Sequence, residues 1–99
     1  MKTKKLFARQ GDVVIDRRAV SGELTAATDL VVAGGASHPH TIVGPCLTRA
    51  EGGVTLVRLA SDTELSHAGG HRPVRLPAGD YHLWTLRERG DLSDRQVED

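Results

Sequence analysis

Four of the chain's five histidines fall into two short clusters. "SHPH" sets His38 and His40 either side of Pro39, and "SHAGGH" sets His67 and His71 around Ala68, Gly69 and Gly70. In an extended backbone, residues i and i+2 project to the same side, so His38 and His40 form a two-nitrogen claw. Pro39 fixes its own φ and holds His38 extended. The glycines between His67 and His71 argue for a loop, which can aim both rings at the first pair. Neutral imidazole is a common ligand of first-row transition metals. The expected metal site is therefore His38, His40, His67 and His71, holding one divalent ion such as Zn, Fe, Ni or Mn. Three imidazoles with an open position suit catalysis, and four suit a closed structural site. The same residues also suit a hydrogen-bonded brace or interface cluster, or unrelated loop histidines. His82 shares a strand face with Trp84 and reads as a core or interface histidine.

Other chemistries find less support. Cys46 is the one cysteine, so the chain has neither an internal disulfide nor a Cys-rich zinc site. It follows Gly44-Pro45 in a strand pattern and reads as a small buried hydrophobe. Ser37, Ser61 and Ser66 lack a nucleophile-elbow context. The pairs Gly34-Gly35, Gly52-Gly53 and Gly69-Gly70 match no phosphate loop and open no helix. No catalytic residue and no organic cofactor is expected.

Several short elements must position these side chains. Glycine and proline divide the chain into β-branched runs: "GDVVIDR" (11–17), "DLVVAGG" (29–35), "HTIVGP" (40–45), "CLTRAE" (46–51) and "GGVTLVRLAS" (52–61). The Glu-Gly-Gly turn predicts a hairpin between 46–51 and 54–60. Residues 72–89 hold two strands around a tight turn at Pro77, Ala78, Gly79 and Asp80, with Pro73 and Pro77 keeping the first near an edge. Alternation in "DYHLWTLRER" puts His82, Trp84 and Leu86 on one face and Tyr81, Leu83 and Thr85 on the other, a central-strand pattern. Trp84 is the expected large anchor of the core. Residues 19–28 lack an apolar stripe and read as a loop. The fold class is all-β, a small antiparallel sandwich or barrel.

Ninety-nine residues make one domain. The expected organisation is a basic N-terminal arm (1–10), a β-domain (11–89) and an acidic C-terminal tail (90–99), the ends being either solvated or, in an assembly, arms on neighbouring subunits. Thirteen basic and thirteen acidic residues cancel, and three aromatics are too few for a stacking platform, so nucleic acid is not an expected partner. No apolar run approaches a membrane span, and no apolar segment follows the N-terminal lysines as a signal peptide requires. The expected location is a virion or the cytoplasm.

Two resemblances follow from the motifs. "HPH" (38–40) with "PAGDYH" (77–82) resembles cupins, in which a His-X-His and a later Pro-X-Gly-X-X-His feed one metal. That resemblance implies a metal-dependent enzyme, and the glutamate that cupins carry soon after the His-X-His is missing from "TIVGPCLTRA". The fuller resemblance is to a family of small, poorly characterised bacterial and phage proteins. Their frame runs Gln-Gly-Asp-Val, Gly-His-X-His, Thr-His-Glu-Glu-His, then a Pro-Pro-Gly-X-Tyr strand with an Arg-rich end and a short tail. Here it is matched by "RQGDVVI" (9–15), "SHPHTI" (37–42), "ELSHAGGHRPVRLPAGDY" (64–81) and "TLRERGDLSDRQVED" (85–99). Ser37 replaces the glycine, and Ala68, Gly69 and Gly70 replace the paired acids. The resemblance implies that the four histidines belong to one set, and the missing carboxylates weigh against catalysis. The expectation is a non-enzymatic β-domain partnered by other protein subunits, as a homo-oligomer or on a capsid shell as a decoration or stabilising protein. The metal-dependent enzyme is the alternative.

Overall fold

The computed structural model describes residues 7–33, 38–70 and 72–86. Among these residues eight strands follow one another: β1 (Ala8–Gln10), β2 (Val13–Arg17), β3 (Thr25–Ala33), β4 (His40–Glu51), β5 (Val54–Leu59), β6 (Thr63–His67), β7 (Val74–Leu76) and β8 (Gly79–Thr85). All pairings are antiparallel, in the order β1-β2-β8-β5-β4-β6-β7, with β3 on the other side of β4. β1 comes to lie against β7, so the sheet curls into a nearly closed barrel, and the all-β expectation holds as a barrel.

Local chemistry sets the corners. Gln10 and Val13 pair across Gly11 and Asp12, and only Gly11 has positive φ (60°), the pattern of a type II′ hairpin turn. Glu51 and Val54 pair across Gly52 and Gly53, both at positive φ (58° and 83°), as type I′ requires. The predicted hairpin is therefore present.

The expected turn at 77–80 is a bend instead, and a second bend, not anticipated, joins β5 to β6. β5 and β6 both pair antiparallel with β4, so they run in one direction as a single interrupted strand. Between the Leu47–Arg58 and Ile42–Leu65 pairs, five steps along β4 face seven along β5 and β6. β7 and β8 likewise run on past Pro77 and Ala78 without reversing, because their partners β6 and β5 are collinear. Bent strands let a short chain close a barrel, since each contributes to both ends. Gly44-Pro45 also leaves β4 unbroken. The irregularity falls in β3, where Asp29 sits at φ 53° and its Oδ1 accepts the Gly44 N–H at 2.7 Å.

The core is Val13, Ile15, Ile42, Cys46, Val57, Leu59, Leu65, Leu76, Tyr81 and Leu83. Tyr81, fully buried, is its large anchor. Trp84 is half-buried on the opposite face of β8, which corrects the expectation for that residue. The alternation within β8 was legible, but not which of its two apolar faces turned inward. Two further boundaries differ. β1 takes 8–10 from the expected arm 1–10, and β3 claims 25–28 from the expected loop. Residues 1–6 and the tail 90–99 lie outside the described residues.

Candidate functional site: a histidine cluster at the barrel seam

Gln10 ends β1 with its side chain buried. Its Nε2 donates to the carbonyls of Leu65 and Arg72, both at 2.8 Å. One amide thus ties β1 to β6 and to the segment before β7, where the barrel has no backbone ladder. With both amide hydrogens engaged, Oε1 is left as an acceptor, and it lies 2.8 Å from His40 Nδ1. The hydrogen on that contact must come from the ring, so His40 carries its proton on Nδ1. His40 is 5% exposed.

His40 and His67 are directly opposed across β4 and β6. Their rings stack at 3.9 Å between centroids, 17° apart in plane. His38 approaches His67 from the rim at 6.3 Å and 42°. Ala68 N–H donates to the Pro39 carbonyl at 3.3 Å, closing the loop around them. Gly69 makes room for this packing. A Cβ there would stand 2.6 Å from His38 Cδ2 and 2.8 Å from His67 Cε1. Gly69→Ala is expected to push the two rings apart and cost about 1 kcal/mol, as small overpacking does. Urea denaturation measures the loss, and loss of ring-to-ring NOEs identifies its origin.

Three of the four predicted site histidines, His38, His40 and His67, are thus brought together, and His71 lies outside the described residues. Among the described residues, no group of three or more His, Cys, Asp or Glu is arranged to hold a metal ion. The stacking explains this for two of the rings. A ring nitrogen binds a metal in the ring plane at about 2.0–2.1 Å. Two nearly parallel rings with centroids 3.9 Å apart send their lone pairs along separate lines, so the stack must open before both rings reach one ion.

The cupin-like motif has a structural explanation. Leu76 is core, and the Pro77 carbonyl accepts the Tyr81 hydroxyl at 2.6 Å. Gly79, at φ 143°, lies under the Arg17 guanidinium, 2.8 Å from where a Cβ would stand. His82 lies on the other face of β8 from Tyr81, its Nε2 3.1 Å from the Ala19 carbonyl. It lines a groove with Val20, Arg49 and Leu56, apart from the other three histidines. Cys46 is buried as expected, and burial raises its thiol pKa, which leaves it a poor nucleophile.

Sequence reading missed a second polar assembly. Arg58 reaches both carboxylate oxygens of Asp80, at 2.9 and 3.1 Å, and donates to the Val20 carbonyl, while Val20 N–H donates back to Asp80 at 2.9 Å. This clamp holds the 18–24 segment against β5 and β8. No local motif marks it, because its members lie far apart in sequence. The Arg58 hydrogen bonds, and then the Val20 N–H, lower the Asp80 pKa. A carboxyl lowered on folding stabilises above its unfolded pKa, and that contribution vanishes as pH falls through the folded value. Asp80→Asn is therefore expected to remove one component of acid destabilisation, seen as a flatter fall of the urea midpoint below the ordinary carboxylate range.

The outer face of the β3–β4 ribbon was also unforeseen. Val43, Pro45 and Leu47 face outward, with Thr28 opposite Pro45 and Ala26 opposite Leu47. Val31, Val43 and Leu47 are 50%, 40% and 39% exposed.

No described helix is long and apolar enough to cross a membrane. Nothing among curated proteins or solved structures matches the chain. The model of one family does match, over residues 9–86, the span that holds Gln10, the three described cluster histidines and Tyr81. The chain therefore belongs to the family described as Domain of unknown function (DUF8820).

Proposed function

We propose that this chain is a non-enzymatic β-barrel module that serves as an accessory subunit of a larger protein assembly. The carrying observation is the use made of the histidines. His40 is buried, hydrogen-bonded to Gln10 and stacked on His67, so the cluster braces the barrel where its backbone ladder stops. The surface available to partners is elsewhere, on the β3–β4 ribbon, whose exposed apolar side chains suit protein contact. The resemblance to small bacterial and phage proteins supports a virion shell as the assembly, with this chain decorating or stabilising it. The test is sedimentation of particles from producing cells. The wild-type chain is expected to travel with shell particles, and a Val43→Lys, Leu47→Lys variant to stay in the supernatant with an unchanged melting temperature. A wild-type chain found only as free protein contradicts the reading.

A second reading, metal-dependent chemistry, has one observation in its favour. A proton on His40 Nδ1, held by Gln10, puts the lone pair on Nε2, as outer-shell partners do for metal-binding histidines. Equilibrium dialysis against Zn²⁺ and Ni²⁺ tests it. One ion retained per chain, lost in His38→Ala, supports this reading, and no retained ion overturns it.

A further inference from the structure

The ladder beside β4 is interrupted between the Leu47–Arg58 pair with β5 and the Ile42–Leu65 pair with β6. Pro45 and Cys46 on one side of that interruption, and Leu59, Ala60 and Ser61 on the other, line a cavity of about 540 Å³. β3 and the start of β8 complete its wall. The floor is Cys46 and Leu59, which are 6% and 3% exposed and belong to the core. Ala26 and Ala27 on β3 and Ala60 on the bend face the same space, so side chains from two sides stop at one methyl group and leave it unfilled. Thr28 and Ser61 bring exposed hydroxyls to the rim. Among the described lining residues the charged ones are Arg58 and Asp80, joined by two contacts at 2.9 and 3.1 Å.

We propose that this cavity binds an uncharged, largely apolar small molecule of about two to three rings, its apolar body on Cys46 and Leu59 and its polar end, a hydroxyl or carbonyl, at Thr28 and Ser61. Size and charge select this occupant. Small-molecule sites are concave, mostly apolar and about 300–1,000 Å³ in volume. An apolar cavity of about 150 Å³ takes one benzene ring. At about 540 Å³ this one is left mostly empty by a single aromatic side chain of a protein partner. An ion finds no free counter-charge. Arg58 and Asp80 neutralise each other, and both are further held by Val20, through its carbonyl and its N–H. A charge taken out of water without a partner is costly, so the lining rejects charged ligands. The floor belongs to the core, so a bound molecule also stabilises the folded barrel.

The test is fluorescence titration with phenylnaphthylamine, a neutral three-ring probe, and with its ring-sulfonated analogue. The neutral probe is expected to saturate at one per chain, with a dissociation constant on the order of 10 μM. The sulfonate should bind about tenfold or more weakly, because its charge finds no free partner. Ala27→Leu and Ala60→Leu each put a larger side chain in the ligand's place and should raise the dissociation constant of the neutral probe about tenfold or more. Ala60 is exposed on the bend, so its variant carries the test without disturbing the core. In the wild-type chain, NOEs from the probe to the Ala27 and Ala60 methyls locate it directly. No saturable binding overturns the proposal. So does binding that both leucine variants leave unchanged, with NOEs to Val31 and Val43, since the probe then only coats the exposed ribbon. Equal or tighter binding of the sulfonate overturns it as well. Neither variant touches Val43 or Leu47, so the assembly reading stands or falls separately.

Discussion

Gln10→Leu lowers the unfolding free energy by about 3–4 kcal/mol, because it strips partners from three groups at once. The Leu65 and Arg72 carbonyls each lose a 2.8 Å donor, and the His40 Nδ1–H loses its acceptor. Leucine fills similar space, so the loss is not a cavity effect. Unpaired buried polar groups cost about 1–3 kcal/mol each, with partial relief from local rearrangement. In a domain of this size the melting temperature should fall by roughly 15 °C. Gln10→Glu gives an informative contrast. It keeps the acceptor for His40 and loses the two donors, so it should also destabilise, while retaining the ring proton on Nδ1. Urea denaturation measures the first effect and ring ¹⁵N spectra the second. A loss below about 1 kcal/mol for Gln10→Leu would mean that the seam does not depend on this amide.

Tyr81→Ala costs about 4 kcal/mol, in the range found when a buried aromatic ring is deleted. The ring is fully buried among β2, β5 and β8 and meets Phe7 edge-on at 5.6 Å between centroids. Arg17 caps it, 5.4 Å from the ring centre, while Nη2 donates to the Ala78 carbonyl at 2.7 Å. Tyr81→Phe removes only the hydroxyl bond to Pro77 and should cost about 1 kcal/mol. Trp84→Ala should cost less than Tyr81→Ala, because Trp84 is only half-buried. The reverse order would place the anchor on the other face of β8. Burial also raises the Tyr81 pKa, so the stability it contributes is present below its unfolded value and lost as pH rises through the folded one.

The fold class was legible because glycine and proline mark the corners so plainly. Gly52 and Gly53 announce a hairpin that only positive φ permits at both positions, and Pro73 with Pro77 leave β7 at an edge. The bends were not legible. Ser61-Asp62 and Pro77-Ala78 carry turn residues, and a turn and a bend use the same residues. Only the pairing of β5 and β6 with one strand distinguishes them. The i, i+2 spacing set His38 and His40 on one side and the resemblance grouped His67 with them, but the contact itself comes from the β4–β6 register, which no local spacing announces. Gln10 was visible in "RQGDV" but unassigned, because its partners at 65 and 72 are joined to it by barrel closure rather than by sequence distance. The exposed ribbon was hidden for a similar reason. Val43 and Leu47 look like core residues until the neighbours that fail to cover them are known.

The central claim is that the histidine cluster is a brace, with His40 locked in one tautomer by Gln10. The most direct test is a ¹H–¹⁵N correlation spectrum of the histidine rings of the wild-type chain at neutral pH. The account predicts a slowly exchanging proton on His40 Nδ1, with an NOE to the Gln10 side chain. A His40 ring unprotonated at Nδ1, or one whose proton exchanges with solvent as fast as that of the exposed His38, would contradict it.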